Sequence, residues 1–279
     1  MDYRQPVRFG VFVTPVSTEA PLRLAVLADE LGFELVGVQD HPYQRRFYDT
    51  WTLLTAIAMR TERITVFPDV ANLPLRPPAV LAKAAASLDI LSAGRLELGL
   101  GAGGFWDAIK AWDGPGRTPG ESVSALEEAI QVIRLLWSGE RGLRFDGRFY
   151  RLGGAHSGPV PAHPIGIWLG AYRPRMLDLV GRLADGWVTS YGNVREAELL
   201  EANRRIDEAA RAAGRDPGAI RRVLNAGYLE AEQLVELAVD VGMDTFLVAD
   251  DADSMRTFIS EVAPRVREEV ESRRSRRAD

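Results

Sequence analysis

Short apolar runs alternate with amphipathic stretches along the whole chain. The run at 7–13 (VRFGVFV) is rich in β-branched residues and predicts a first strand. Ser17 or Thr18 can cap the next helix, in which Leu24, Leu27, Ala28 and Leu31 share one face and Gly32 marks the end. Residues 34–39 predict a second strand, with a helix at about 50–60, and residues 63–70 a third. Pro77 and Pro78 suit the first turn of a helix burying Leu81, Ala84, Ala85, Leu88 and Leu91, and Gly94 closes it. Residues 95–101 (RLELGLG) predict the fourth strand.

A glycine-rich loop then runs to about residue 118, where Thr118 and Glu121 form a capping-box pattern. The helix behind it carries Leu126, Ala129, Ile130, Ile133 and Trp137. Residues 143–152 predict a hairpin turning at Asp146-Gly147, and 153–164 a loop. Strands five to eight fall at 165–169, 186–189, near 221–228 and at 245–249. Their helices carry Met176 to Leu183, then 195–213, 231–241 and a last one with Phe258, Ile259, Val262 and Val266.

Eight strand–helix units imply a parallel sheet closed into an α/β (β/α)8 TIM barrel with loop insertions at its C-terminal face. An open doubly wound sheet would give the same alternation, but the count and the length favour the barrel. No linker or shift of composition divides the chain, so residues 1–279 read as a single domain with a frayed basic tail at about 272–279.

Composition narrows the chemistry. Hydrophobic residues are 46% and charged residues 26% of the chain, ordinary globular usage. Cysteine is absent, which excludes disulfides, thiolate catalysis and cysteine-held metals. No apolar run is long enough to span a bilayer and no signal peptide is visible, so the expectation is a cytoplasmic protein without a membrane partner. The net charge of −5, with no basic stripe, argues against a nucleic-acid partner. Lys83 and Lys110 are the two lysines, which leaves little for Schiff-base chemistry.

A barrel of this kind places its active site at the C-terminal ends of the strands. His41 follows strand two beside Asp40, where it could move a proton near neutral pH or merely bond a loop. Gly99 to Gly104 fits G-x-G-x-x-G, but three strand–helix units precede it, so a glycine-lined strand end open to a flat ligand fits better than a dinucleotide fingerprint. Gly170-Ala171-Tyr172-Arg173-Pro174-Arg175 links strand five to a helix and reads as an anion site, the two arginines and the bare amides suiting a phosphate. His156 and His163 lie in a Pro/Gly loop without carboxylates at ligand spacing, so no metal site is expected. Trp106, Trp112, Phe149 and Tyr150, in the loops at 104–118 and 141–164, suggest walls for an apolar or ring-bearing ligand. Asp40, Asp69 and Asp107 are the available carboxylates for a hydrolase on the same barrel.

These strand-end segments together resemble the bacterial-luciferase-like superfamily, in its branch that uses the deazaflavin coenzyme F420. The resemblance covers nearly the whole chain. It is most specific at 72–83 (NLPLRPPAVLAK), 88–103 (LDILSAGRLELGLGAG), Ile167–Ala171 and Ala184–Trp187, with Asp40-His41 matching the pair after strand two. It implies a non-prolyl cis peptide at Asp69-Val70 against the back of the ring, a cofactor pocket continued by Ala71 and Asn72, and a turn at Gly101, Ala102 and Gly103 skirting it. Gly170, Ala171, Tyr172 and Arg173 would hold the phosphate. His41 matches a proton donor or acceptor, with Asp40 as its partner, in hydride transfer between the ring and a small organic substrate.

The flavin-using luciferase carries an arginine at the place of Ala102, which disfavours FMN. The sugar-phosphate dehydrogenases carry a glutamate at the place of Gly104, which puts a sugar phosphate in doubt. An FMN-dependent monooxygenase and a non-catalytic cofactor-binding subunit are the rival readings. A homodimer is expected from the family.

Overall fold

Parallel strands bond side by side through each predicted apolar run. The computed structural model describes residues 2–192, 196–248 and 251–277. In chain order the first elements are β1 (Arg8–Val13), α1 (Ala20–Leu31), β2 (Leu35–Val38), α2 (Thr50–Ala58), β3 (Thr65–Pro68), β4 (Ala71–Asn72), α3 (Pro78–Leu91) and β5 (Leu98–Gly101). Next come α4 (Trp106–Ala111), α5 (Pro119–Trp137), β6 (Leu143–Asp146), β7 (Arg151–Ala155), β8 (Ile167–Gly170), α6 (Pro174–Leu183) and β9 (Gly186–Ser190). The last are α7 (Glu196–Ala212), β10 (Arg221–Gly227), α8 (Ala231–Glu236), β11 (Thr245–Val248), α9 (Ala252–Thr257) and α10 (Ala263–Arg276).

The main sheet runs β3-β2-β1-β11-β10-β9-β8-β5-β4. β3 and β4 are two halves of the third strand, on either side of a cis Asp69–Val70 peptide bond. Val66 of β3 bonds to the Arg95 carbonyl at 2.9 Å and bridges Leu96, while Ala71 of β4 pairs with Leu100 of β5. Both halves thus meet the same neighbour, and the ring closes as the expected TIM barrel.

Leu35, Phe67, Trp168, Val188, Val223 and Leu247 fill the inside of the ring, with Phe67 and Trp168 edge to face at 5.1 Å. Strand glycines make the room. A Cβ on Gly10 would lie 2.5 Å from the Leu247 side chain, and one on Gly186 2.5 Å from Trp168. A second, larger cluster packs the outer faces of the strands against the helices. Inside, a barrel must alternate large and small residues to stay packed rather than hollow.

Several expectations change. Glu19, not Ser17 or Thr18, stands at the N-cap of α1, and it makes no side-chain capping bond. The capping box of α5 forms as expected. The hairpin turn is wider than a two-residue turn at Asp146-Gly147. It spans residues 147–150, because the Glu128 carboxylate of α5 accepts the N–H groups of Arg148, Phe149 and Tyr150 at 2.9, 2.9 and 3.1 Å. β7 then takes in residues 153–155, which the sequence suggested as loop.

The basic tail does not fray over its described part. α10 continues to Arg276, with Arg274 gripping Asp2 at 2.9 and 3.0 Å and Arg277 bonding the Val239 carbonyl at 3.0 Å. His163 meets carboxylates that sequence spacing hides: its Nδ1 lies 2.6 Å from Asp89 and its Nε2 3.8 Å from Glu97. Ala249 and Asp250, at the end of strand eight, and Arg195, at the expected start of its helix, lie outside the described residues.

The N-terminal face of the barrel is tied by a buried ion pair. Arg222 is fully buried and donates to Asp207 at 3.0 Å, Asn203 at 2.6 Å and the Ile220 carbonyl at 2.7 Å. Tyr3 covers the guanidinium at 4.6 Å and donates its hydroxyl to Asp207 at 2.8 Å. Asp207→Asn leaves the buried guanidinium without its counter-charge, so denaturant unfolding should show a loss of about 3–5 kcal/mol. Lys110→Ala, which breaks the exposed pair with Asp107, should cost no more than about 0.5 kcal/mol.

Candidate active site

The C-terminal strand ends surround an open cavity of about 570 Å³. The chain leaves β2 through Gln39, Asp40 and His41, all on its wall. Asp40 is buried and its oxygens are engaged. They accept from Arg76 at 2.7 and 2.8 Å and from the Asn72 N–H at 2.8 Å. Arg76 also donates to Asp49 at 2.7 Å, the residue that caps α2. Burial works against the Arg76 charge, but Asp40 and Asp49 outweigh it and push its pKa up. Asp40 therefore joins the end of strand two to the third strand, with both carboxyl oxygens gripped by a guanidinium that stays charged.

His41 has a different setting. Its Nδ1 lies 2.7 Å from the Tyr43 hydroxyl, and the Phe105 ring stands edge-on to the imidazole at 5.4 Å. Burial pushes the His41 pKa below its ordinary value of 6.5, with the Asp40 charge pulling the other way. The ring is therefore neutral at pH 7. Burial, helped by Asp40, pushes the Tyr43 phenol up to about 12, so its hydroxyl keeps its proton. Among the described residues no hydrogen bond engages His41 Nε2, which is free for a ligand.

The third strand brings Asp69, Val70, Ala71 and Asn72 to the same wall. Gly101 and Gly170 of the neighbouring strands line the cavity and also make room for Val70. A Cβ on Gly101 would lie 2.8 Å from Val70 Cγ2, and one on Gly170 2.9 Å from the same methyl. A Cβ on Gly99 would lie 2.0 Å from the Pro68 carbonyl oxygen. Ala102 and Gly103 continue the wall beyond β5, and Gly103, at φ +94°, presses against Pro74.

The segment after β8 is divided. Gly170, Tyr172 and Arg173 line the cavity. Ala171 does not: it is 1% exposed, and its carbonyl accepts from Trp187 Nε1 at 2.9 Å. Arg175 also turns away, to the Gly120 carbonyl at 3.0 Å and Ser124 at 2.7 Å on α5. Arg173 is left as the cation among the described lining residues.

The cavity is lined by polar groups the sequence did not single out. Asn225 of β10 donates to Ser190 of β9 at 3.3 Å, and Tyr172 donates to the same serine at 3.4 Å. Asp69 Oδ2, Asn72 Oδ1 and Asn225 Oδ1 are buried without a hydrogen-bond partner. A buried polar atom left alone costs about 1–3 kcal/mol, so three around one cavity fit a ligand with a polar edge. Burial pushes the Asp69 carboxyl up to about 7, with the nearby Asn225 amide favouring the ionised form.

Tyr43, Phe105, Ser190 and Asn225 were legible only as neighbours of strand ends. Trp106, Trp112, Phe149 and Tyr150 are absent from the cavity wall. Phe149 and Tyr150 instead stack on Arg117, at 5.4 and 5.5 Å. Asp107 is fully exposed on α4 and is absent from the cavity wall, so it makes no carboxylate pair with Asp40.

The sequence profile of the luciferase-like monooxygenases matches residues 7–234. The chain belongs to that family.

Among its relatives, an F420-dependent glucose-6-phosphate dehydrogenase of Nocardia farcinica is 33% identical over 210 residues, covering 72% of this chain and 62% of that protein. An F420-dependent hydroxymycolic acid dehydrogenase of Mycobacterium tuberculosis is 36% identical over 200 residues, 69% of this chain and 54% of that one. The matched part is thus about three-fifths or less of these relatives' length. An F420-dependent secondary alcohol dehydrogenase, solved with an F420–acetone adduct, superposes with a TM-score of 0.84 at 19% identity, covering 94% of this chain and 99% of that one. At that identity the likeness is one of fold.

In this luciferase-like barrel, Gly170→Ala drives a methyl into Val70 and should destabilise the protein by about 1–3 kcal/mol. Val70→Ala in the same chain should return part of that loss. A double-mutant cycle by thermal or urea unfolding checks it, and purely additive losses would mean that the two residues do not share this space.

Proposed function

We propose that this protein is an F420-dependent oxidoreductase that moves a hydride between the deazaflavin and a small organic substrate. The observation that carries this reading is His41: a neutral imidazole with a free Nε2, on the wall of a cavity that also presents unpartnered polar atoms. The F420-dependent relatives support the choice of cofactor.

The residues fit such a group. A cavity of about 570 Å³ suits part of a large cofactor with a small substrate beside it. Val70, Ala71 and Asn72 would flank the ring from one side and Gly101, Ala102 and Gly103 from another. Gly170, Tyr172 and Arg173 would hold the phosphate, with Arg173 supplying the charge. Bound F420 would supply a two-electron carrier that exchanges a hydride together with one proton.

His41 would take the proton of the substrate heteroatom through Nε2, while Tyr43 holds Nδ1. Asp40, locked by Arg76, would keep the imidazole in place and stabilise its charged form. The uncharged Ala102 on the wall goes with F420 rather than FMN.

A homodimer in the cytoplasm completes the reading. An apolar groove between α1 and α2, floored by Leu22, Val26 and Leu53, supports the dimer. Its rim carries Glu19 and Glu30 with Arg23 and Arg60, so a second copy could pair opposite charges across a two-fold axis. The cysteine-free sequence suits a reducing compartment.

Anaerobic titration with F420 and with FMN tests the cofactor. F420 should bind tightly and FMN poorly; the reverse order would overturn the reading. His41→Gln should bind F420 like wild type but turn over about 100- to 10,000-fold more slowly. In the direction of substrate oxidation, His41 must be unprotonated, so kcat/KM should fall as pH drops through a value below 6.5. That acid limb should vanish in His41→Gln.

A further inference from the structure

We infer that Asp69 is a second catalytic acid–base group of this cavity, exchanging with the redox partner the proton that His41 does not handle. The inference rests on the hydride-transfer reading above.

Proton bookkeeping asks for two groups. Oxidation of a substrate C–H beside an O–H or N–H sends a hydride to the carrier and a proton to a base. The two electrons leave with the hydride. Bound F420 would take up that hydride together with one proton. One group must therefore accept a proton at the substrate, and another must deliver one at the ring. Reduction of the substrate runs the same two transfers backwards. A single imidazole cannot stand at both places in one turnover.

The other titratable groups around the cavity are engaged elsewhere. Asp40 is tied by Arg76 and the Asn72 N–H. Tyr43 bonds His41, and its phenol holds its proton to about 12. Tyr172 is half exposed at the rim and bonds Ser190. Arg173 carries a fixed positive charge.

Asp69 differs from each of them. It is 8% exposed, lines the cavity, and has one carboxyl oxygen with no hydrogen-bond partner. Its backbone N–H is fixed to the Val38 carbonyl at 2.7 Å, and Val70 beside it is seated among strand glycines. The carboxyl is therefore both anchored and unsatisfied. It also exchanges its proton close to neutrality, where a group that must give and then regain a proton works best.

The sign follows for substrate oxidation. Asp69 must carry its proton, so the rate should fall as pH rises through about 7. Together with the His41 acid limb this gives a bell-shaped profile.

Two measurements test the inference. The first needs no cofactor: the infrared C=O stretch of a protonated carboxylic acid, followed against pH. Glu97, which burial pushes up to about 7, and Asp244, which burial also pushes up, are removed as other sources by Glu97→Gln and Asp244→Asn, both outside the cavity. In that background the band should persist near neutral pH, fade as pH rises, and be lost on Asp69→Asn. Absence of the band in that doubly substituted protein, which needs no change at Asp69, would overturn the inference.

The second uses the F420-loaded enzyme. Asp69→Asn should bind F420 like wild type, lose at least about 100-fold in turnover, and lose the basic limb while keeping the acid limb. Turnover near wild type, or an unchanged basic limb, would also overturn it. A wild-type protein that binds no F420 defeats the hydride-transfer reading, and the inference with it. A wild type that binds and turns over, with Asp69→Asn unimpaired, defeats the inference alone.

Discussion

The grip of Arg76 on Asp40 holds the mouth of this barrel together. Both carboxylate oxygens accept from one guanidinium, and one of them also takes the Asn72 amide. The same guanidinium reaches Asp49 at the start of α2. Three segments far apart in sequence are thereby fixed around one buried charge: the end of strand two, the second half of strand three and the first turn of α2. A buried pair of this kind tolerates little movement, because separating the charges in a dry setting is costly. His41, one residue beyond Asp40, inherits its position from that clamp.

A second constraint lies beside the first. The third strand meets one neighbour twice, through residues 95–97 and again through Leu100 and Gly101. Between those contacts Val70 turns toward the cavity, and Gly101 and Gly170 leave it space. The packing that closes the barrel thus also shapes the wall of the site. It places Asp69 where water is scarce and where one of its oxygens lacks a partner. Burial then moves Asp69 and His41 in opposite directions, the acid upward and the base downward.

Much of this was readable along the chain. The positions of Asp40, His41 and Asp69 at strand ends, and the glycines of Gly99–Gly103, mark the mouth of a barrel without any coordinates. The errors also have physical causes. Ala171 sits in the right segment, but strand alternation turns its side chain into the core. Arg175 sits two residues from Arg173, yet α5 offers it the Gly120 carbonyl and Ser124. Of the expected aromatic walls, Phe149 and Tyr150 pack on Arg117 and Trp112 faces outward, and composition carries no direction. Asn225 and Ser190 are ordinary strand residues in the sequence, and their meeting depends on the pairing of β9 with β10.

The sequence by itself determined the order of strands and helices, the closed parallel barrel and the face that bears the site. These follow from local periodicity, caps and breakers, which act between residues close in the chain. It also determined the residue types available at that face, a histidine beside an aspartate and carboxylates without a thiol. Tertiary structure alone decided which of these groups are free. Asp40 is spent on Arg76, Arg175 on α5 and Ala171 on the core, while His41 Nε2 and the buried Asp69 Oδ2 have no hydrogen-bond partner among the described residues. The physical reason is that hydrogen bonding and burial are set by neighbours in space. Here Asp40 and Arg76 lie 36 residues apart, and Arg175 and Gly120 lie 55 apart.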